Sequence, residues 1–355
     1  MKPEFRFLAR FLVFLGIPVF ICLTISFFLP MDFFTFRALE ALTPFMLSFD
    51  GDFYPNQYLQ IEEYGDLGVR TEYAIPKSVE YYTDAYGFRY QGTRDVEFDI
   101  VIVGDSFAYG TSLSQDETLA SRLAMLTNTS VYPYAPASVE RYIQDTRFVD
   151  NPPDYVIVER VERFMDKGFC EDENPPPVLQ TDTPSTPDYL IRLDIALRNP
   201  LFAYSYFRGV LHDRQVIANE QTGMLFVHTA LEETAIDMSA TIQELLNCQS
   251  WLESRGTQMI FMPVPDKGTI YFDDIPDAYR PDINQAQRRN TLANLISEAT
   301  EAGIITVDLL TVYEAAHENG ILLYHLDDTH WNANGVNIAV ERIQETLETL
   351  TITDE

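Results

Sequence analysis

Apolar residues in this chain fall into one long uncharged run near the start and, later, short runs alternating with helix-period faces. The long run, Phe11 to Leu29, is nineteen residues without a charge, broken only by Pro18, Thr24 and Ser26. As a helix it would be about 28 Å long, close to the ~30 Å thickness of bilayer hydrocarbon. Lys2, Arg6 and Arg10 precede it and acidic residues follow, while Leu29-Pro30-Met31-Asp32 is too bulky for a signal-peptidase site. The pattern predicts a retained signal-anchor transmembrane helix over residues 1–30, with the N-terminus in the cytoplasm and the bulk of the chain outside.

From Val96 onward the alternation predicts a βαβ architecture. Strands are expected at Ile100–Val103, Ser130–Tyr134, Tyr155–Glu159, Gln258–Pro263 and Ile304–Leu309. Helices are expected at Ser114–Leu126, Val139–Phe148, Met238–Arg255, Gln285–Ala302 and Asn334–Leu350. The last carries Val336, Ala339, Val340, Ile343 and Leu347 on one face at 3.6 spacing. Residues 31–95, rich in aromatic, Asp and Pro residues, read as a membrane-proximal stalk running into irregular strands. Residues 166–237 interrupt the alternation with a Pro-rich start, Asn174-Pro-Pro-Pro177, and read as an inserted cap. The main domain is therefore 96–350.

A formal charge of −30 over 355 residues excludes nucleic acid as a partner, since phosphate binding needs a basic face. It reads as a solvated, self-repelling surface. Of the three cysteines, Cys22 lies in the apolar run. Cys170 and Cys248 either pair, if their surroundings are extracytoplasmic, or remain two buried thiols. No metal-ligand spacing occurs, and no cofactor is implied.

The strand Ile100–Val103 stops at Gly104-Asp105-Ser106, which places a serine at the carboxyl edge of the sheet, where open α/β sheets hold ligands. A serine hydroxyl needs a base to become a nucleophile. Among five histidines, His330 follows the last strand and precedes the last helix, which puts it on the same edge. Asp327 and Asp328 stand three and two residues before it, close enough to hold the imidazole, so nucleophile, base and orienter share one edge. The Asp105 carboxylate reads as tying down the turn.

Gly104-Asp-Ser106 early in the domain and Asp-x-x-His or Asp-x-His near its end resemble the first and last blocks of the SGNH (GDSL-type) hydrolases. The chain resembles most the alginate O-acetyltransferase-like branch of that superfamily, through Asp328-Thr-His-Trp331, Val264-Pro-Asp-Lys-Gly-Thr-Ile-Tyr271 and Val161-Glu-Arg163. The resemblance implies a three-layer α/β/α, flavodoxin-like sheet. It also implies a membrane-anchored enzyme, facing the periplasm or exterior, that moves an acetyl or similar group to a hydroxyl of an envelope or secreted polysaccharide. A multi-span membrane protein would supply the acyl group. Ser106 would be the nucleophile, His330 the base and Asp328 the orienter, with Asp327 the choice that ordinary SGNH spacing makes. A plain carbohydrate esterase and a non-catalytic glycan-binding scaffold are the alternatives.

Three departures from the family stand out. Ser106 precedes the His block, whereas the alginate proteins have the reverse order. The third strand ends Val158-Glu-Arg-Val-Glu-Arg163 without the Asn that donates to the oxyanion, leaving Arg160 or Arg163 as substitutes. The second-block glycine is replaced by Ala135 or Ala137, so the expected oxyanion donors are the N–H groups of Ser106 and Ala137. Arg163, Trp331 and the cap are the expected substrate contacts.

Overall fold

The computed structural model describes residues 3–28, 35–45, 49, 51–69, 71–92, 97–166, 168–170, 185–198, 216–228, 231, 236–280 and 284–353. In chain order the elements are α1 (Pro3–Phe28), α2 (Ala38–Leu42), β1 (Tyr58–Glu63), β2 (Lys77–Tyr82), β3 (Ile100–Val103), α3 (Ser106–Tyr109) and α4 (Leu119–Thr127). There follow β4 (Val131–Tyr134), α5 (Val139–Gln144), β5 (Tyr155–Val161), α6 (Asp188–Arg198), β6 (Val216–Ala218) and β7 (Leu225–Val227). The chain then forms α7 (Met238–Glu253), β8 (Gln258–Val264), α8 (Lys267–Ile270), α9 (Gln285–Glu301), β9 (Ile305–Thr306), α10 (Leu309–Glu318) and α11 (Ala333–Thr353).

Five parallel strands form the central sheet in the order β4-β3-β5-β8-β9. This is the doubly wound order whose crevice lies at the carboxyl ends of the paired first and third sheet strands, here β3 and β5, where the strand order reverses. Every residue of β3 is buried, as a parallel strand covered on both faces requires. Ile100, Ile102, Ile157, Ile260 and Met262 pack with Leu123 of α4 and with Val336 and Ile343 of α11. Their neighbours Val101, Val103, Val158 and Phe261 pack on the opposite face with Ile143 of α5 and with Leu245 and Leu252 of α7. The period of 2 along each strand thus builds three layers.

Most expected elements form within a residue or two of their predicted bounds. The expected strand Ile304–Leu309 is cut to Ile305–Thr306, because Asp308 accepts the Thr311 N–H (3.1 Å) and caps α10. The expected helix Ser114–Leu126 divides at Thr118, which caps α4 after a 3₁₀ turn at Gln115–Glu117. Residues 31–95 hold more regular structure than expected. β1 and β2 pair antiparallel from Tyr58↔Tyr82 to Glu63↔Lys77. Buried Arg89 fastens this hairpin to the sheet domain, donating to Gly110 O (2.6 Å) and Leu113 O (2.7 Å) with its guanidinium 3.6 Å from the Tyr81 ring centre.

The expected cap is only partly described, and Asn174-Pro-Pro-Pro177 lies outside the described residues. α6 packs on the segment before β1, with Ile191 and Ile195 buried against Ala41 and Tyr54. Asp194 accepts the Phe45 N–H (2.7 Å) and the Tyr54 hydroxyl. The β6–β7 hairpin instead meets the histidine loop, Leu225 N–H donating to Leu326 O (2.8 Å).

α1 forms where a helix was expected, and Phe7, Leu12, Phe14, Phe20 and Phe28 on it are exposed. No helix among the described residues is long and apolar enough to cross a membrane, so the transmembrane element of the expected architecture is not found.

Cys170 and Cys248 are joined by a disulfide across 78 residues, which decides between the two sequence readings. Replacing both by alanine is expected to lower unfolding free energy by about 2–4 kcal/mol, through the loop entropy regained by the unfolded chain. Denaturant unfolding with and without reductant measures this: reductant should destabilise the parent and leave the double variant unchanged.

Candidate active site

Ser106 is the first residue of α3, at the crevice between β3 and β5. Asp105 caps this helix: Oδ1 accepts the Phe107 N–H (2.9 Å) and Oδ2 the Val161 N–H (3.3 Å). Its structural reading from the sequence therefore holds, and the Ser106 hydroxyl projects from a turn tied to β5.

His330 reaches that hydroxyl from the loop before α11, with Nε2 2.7 Å from Ser106 Oγ. Its Nδ1 lies 2.5 Å from Asp328 Oδ1, which also accepts the His330 backbone N–H (2.9 Å). The second Asp328 oxygen accepts from Ser112 Oγ (2.7 Å) and from the Asp66 N–H (3.0 Å). Burial opposes charge on Asp328, but His330, with Lys77 and His325, holds its carboxyl well below the usual range. With Nδ1 facing a carboxylate, Nε2 is left to accept the serine proton.

Asp327 does something else. Its Oδ2 accepts the N–H groups of Gly65 (3.0 Å) and Ile75 (2.9 Å), and Lys77 Nζ lies 2.9 Å from Oδ1. It anchors the β1–β2 loop, so the structure brings Asp328, not Asp327, to the imidazole. The approach is close: a Cβ on Gly65 would meet Asp327 O at 2.0 Å.

Three supporting residues escaped the sequence reading. Asp66 accepts the N–H (2.9 Å) and hydroxyl (2.8 Å) of Thr329. Burial, then the Asp328 carboxylate, push its own carboxyl upward. Its neighbours in Tyr64-Gly-Asp-Leu-Gly68 signal only a tight loop, and its partners lie more than 260 residues away. Ser112 holds a left-handed backbone (φ 63°), rare for a residue with a Cβ, while its hydroxyl reaches Asp328. Lys267, noticed only as part of a motif, donates to the carbonyls of His325 (2.6 Å), Leu326 (3.0 Å) and Asp328 (3.1 Å) and so fixes the loop that carries the base.

Burial pulls the Lys267 ammonium from 10.5 down to about 7, against the attraction of Asp328, Asp66 and Asp327. Between these values the unfolded chain binds more protons than the folded one, so this residue makes stability rise with pH from 7 to 10.5. The slope should approach about 1.4 kcal/mol per pH unit and vanish in Lys267→Met. Equilibrium unfolding of both proteins across that window tests it; parallel curves contradict it.

Several expected contacts are corrected. The Ala137 N–H donates to Gly104 O (2.9 Å), so it is spent inside the fold rather than turned to an oxyanion. The Ser106 N–H, by contrast, meets no acceptor among the described residues. Trp331 is fully buried, edge-on to Phe107 at 5.3 Å, and has no face for a glycan; it backs the ring that lies 4.9 Å from His330. Arg163 is largely buried, ion-paired with Asp266 and 5.4 Å from the Phe107 ring, so its charge is already compensated. Arg160 lies 4.3 Å from the Phe169 ring and donates to Phe164 O and Gly168 O.

A cavity of about 240 Å³ opens beside the turn, bounded by Gly104, Asp105, Ala137, Val158 and Phe164. A larger cleft of about 770 Å³, lined by Tyr86, Tyr90, Phe98 and Arg147, contains none of Ser106, His330 and Asp328. The smaller space is not lined by these three side chains either, but it reaches Gly104 and Asp105, the residues that precede the serine. Single oxygens of Asp66 and Asp328 and one His330 nitrogen lie within 4.8 Å of one another. His330 Nδ1 and both Asp328 oxygens have hydrogen-bond partners in the relay and its supports.

Residues 221–355 match the family described as SGNH hydrolase-like domain, acetyltransferase AlgX. This stretch includes Asp328 and His330 but not Ser106. The resemblance to the SGNH superfamily and its alginate acetyltransferase-like branch is found there, as expected. No curated protein matches the chain. Among solved structures, a protein of Slackia heliotrinireducens provisionally assigned to the SGNH hydrolases is similar at 11% identity. It has a TM-score of 0.38, over 71% of this chain and 100% of that one. A salicylyl-acyltransferase of a tetracycline biosynthetic pathway is similar at 11% identity and TM-score 0.37, over 84% and 74%. A GDSL-like lipase of Bacteroides thetaiotaomicron is similar at 9% identity and TM-score 0.34, over 74% and 93%. Likenesses this low carry no functional weight.

Proposed function

From a chain whose residues 221–355 match an SGNH hydrolase-like acetyltransferase family, we propose a serine-dependent O-acyltransferase that modifies an envelope or secreted polysaccharide. The observation that carries this reading is the continuous relay Ser106 Oγ–His330 Nε2 (2.7 Å) and His330 Nδ1–Asp328 Oδ1 (2.5 Å). His330 takes the Ser106 proton as Oγ attacks the acyl carbonyl, and Asp328 stabilises the imidazolium. The tetrahedral oxyanion accepts from the Ser106 N–H. His330 returns the proton to the leaving oxygen, giving a Ser106 ester. A sugar hydroxyl, deprotonated by the same imidazole, then takes the acyl group and restores the serine. Water in place of the sugar makes the same site an esterase.

The chain is further proposed to act outside the cytoplasmic membrane, held at it by its N-terminal segment and receiving acyl groups from a multi-span membrane partner. The uncharged run Phe11–Leu29, the exposed apolar side chains of α1 and the Cys170–Cys248 disulfide, which needs an oxidising compartment, support this. Finding the protein in the soluble fraction, with a new N-terminus beyond Pro30, would refute the anchor.

The test uses the detergent-solubilised full chain and an aryl acetate, with and without an oligosaccharide acceptor. Acetylated acceptor supports transfer, and acetate release alone supports an esterase. No turnover of any ester, with glycan export unaffected by Ser106→Ala, favours a non-catalytic scaffold.

A further inference from the structure

Among the buried carboxyl groups that the proposed chemistry leaves unused, that of Glu159 on β5 lies nearest in the chain fold to the serine turn, whose amides it contacts. Its Oε2 lies under the serine turn and accepts the N–H groups of Asp105 (3.0 Å) and Ala108 (3.2 Å). Between them, the Phe107 N–H is taken by Asp105 Oδ1 (2.9 Å). Three of the four consecutive amides from 105 to 108 are thus engaged, and the one spared is that of Ser106. The seat is tight. A Cβ on Gly104 would come 2.4 Å from Glu159 Oε2, so only glycine admits the carboxyl group beneath the turn.

No cationic side chain among the described residues is hydrogen-bonded to this group. Glu159 Oε1 is buried and has no hydrogen-bond partner among the described residues. Facing it are Asp105, which repels its charge, Arg160, whose side chain donates to Phe164 O and Gly168 O, and the buried phenol Tyr313. Burial, and after it Asp105, push the Glu159 carboxyl well above the usual range, against the two N–H groups and Arg160. In either protonation state its Oε2 accepts the two N–H bonds.

We infer that Glu159 is a positioning residue that engages the amides flanking Ser106 and so holds the Ser106 N–H ready for the acyl oxygen. This rests on the proposed Ser106 chemistry. It also answers the oxyanion question raised by the sequence: the Asn is missing, Ala137 is spent, and the remaining donor is held rigidly.

Glu159→Gln and Glu159→Leu in the full, detergent-solubilised chain test the assignment with an aryl acetate. An amide side chain keeps a carbonyl for both N–H groups, so Gln should retain kcat within about threefold. Leu should lose about 10²–10³ in kcat, the effect of one oxyanion donor, with KM within about twofold. Amide hydrogen exchange over residues 105–108 should accelerate in Leu and not in Gln. If Glu159→Leu fails to fold, Glu159→Asp, one methylene shorter, carries the same expectations as Leu.

A folded Leu or Asp variant with parental kcat overturns the inference. A folded Gln variant as impaired as Leu overturns it too, since its carbonyl keeps both N–H contacts. Should the parent itself turn over no ester, the proposed function fails on its own, and exchange decides the clamp: unchanged exchange in the folded variant overturns it.

Discussion

Ser106→Ala is expected to abolish both transfer and hydrolysis, lowering kcat by on the order of 10⁴-fold or more while the protein still folds. The loss follows from the relay itself. With Oγ gone, His330 Nε2 has no proton to take and no acyl-enzyme forms. Little else should change, because the turn is held by Asp105 and Glu159 rather than by the serine hydroxyl. Steady-state kinetics with a thermal unfolding control measures this. Activity within tenfold of the parent would mean that another group does the chemistry.

Asp328→Asn should lower kcat by about 10⁴, the scale of losing the carboxylate that fixes the imidazole tautomer. The amide would turn either a neutral oxygen or an N–H toward His330 Nδ1; the latter puts the ring proton on Nε2, where it cannot accept from Ser106. The neighbouring change behaves differently. Asp327→Asn leaves the relay intact but uncouples half-buried Lys77 and weakens the β1–β2 loop, at a cost of up to about 3 kcal/mol in stability. With kcat measured well below each melting transition, the two variants separate by activity: Asp328→Asn loses it, and Asp327→Asn keeps it while losing stability. The reverse pattern would make Asp327 the orienter.

What could be read from the sequence followed the physics of each feature. The parallel strands were legible because strands buried on both faces are continuous apolar runs, as in Ile100-Val-Ile-Val103. Ser106 and His330 were legible because strand ends and the order of elements place them on one sheet edge. Choosing Asp328 over Asp327 needed more than spacing, since both lie close to His330 in sequence and only the β1–β2 loop decides their duties. Asp66 and Ser112 lay beyond reach because their roles depend on contacts more than 200 residues apart. The Trp331 reading failed for a related reason: a Trp beside a catalytic loop looks the same in sequence whether it faces substrate or, as here, backs Phe107. Ala137 shows the limit at the backbone, where an N–H counts as a donor only until its own carbonyl partner is known.

The central claim is that Ser106 carries the acyl group. Rapid mixing of the full chain with an aryl acetate, acid quenching and peptide mass spectrometry test it directly. The account predicts one acetyl group on the peptide containing Ser106, formed in a burst, diminished by an oligosaccharide acceptor and missing in Ser106→Ala. Acetate release with Ser106 unmodified, or equal labelling in Ser106→Ala, would contradict it.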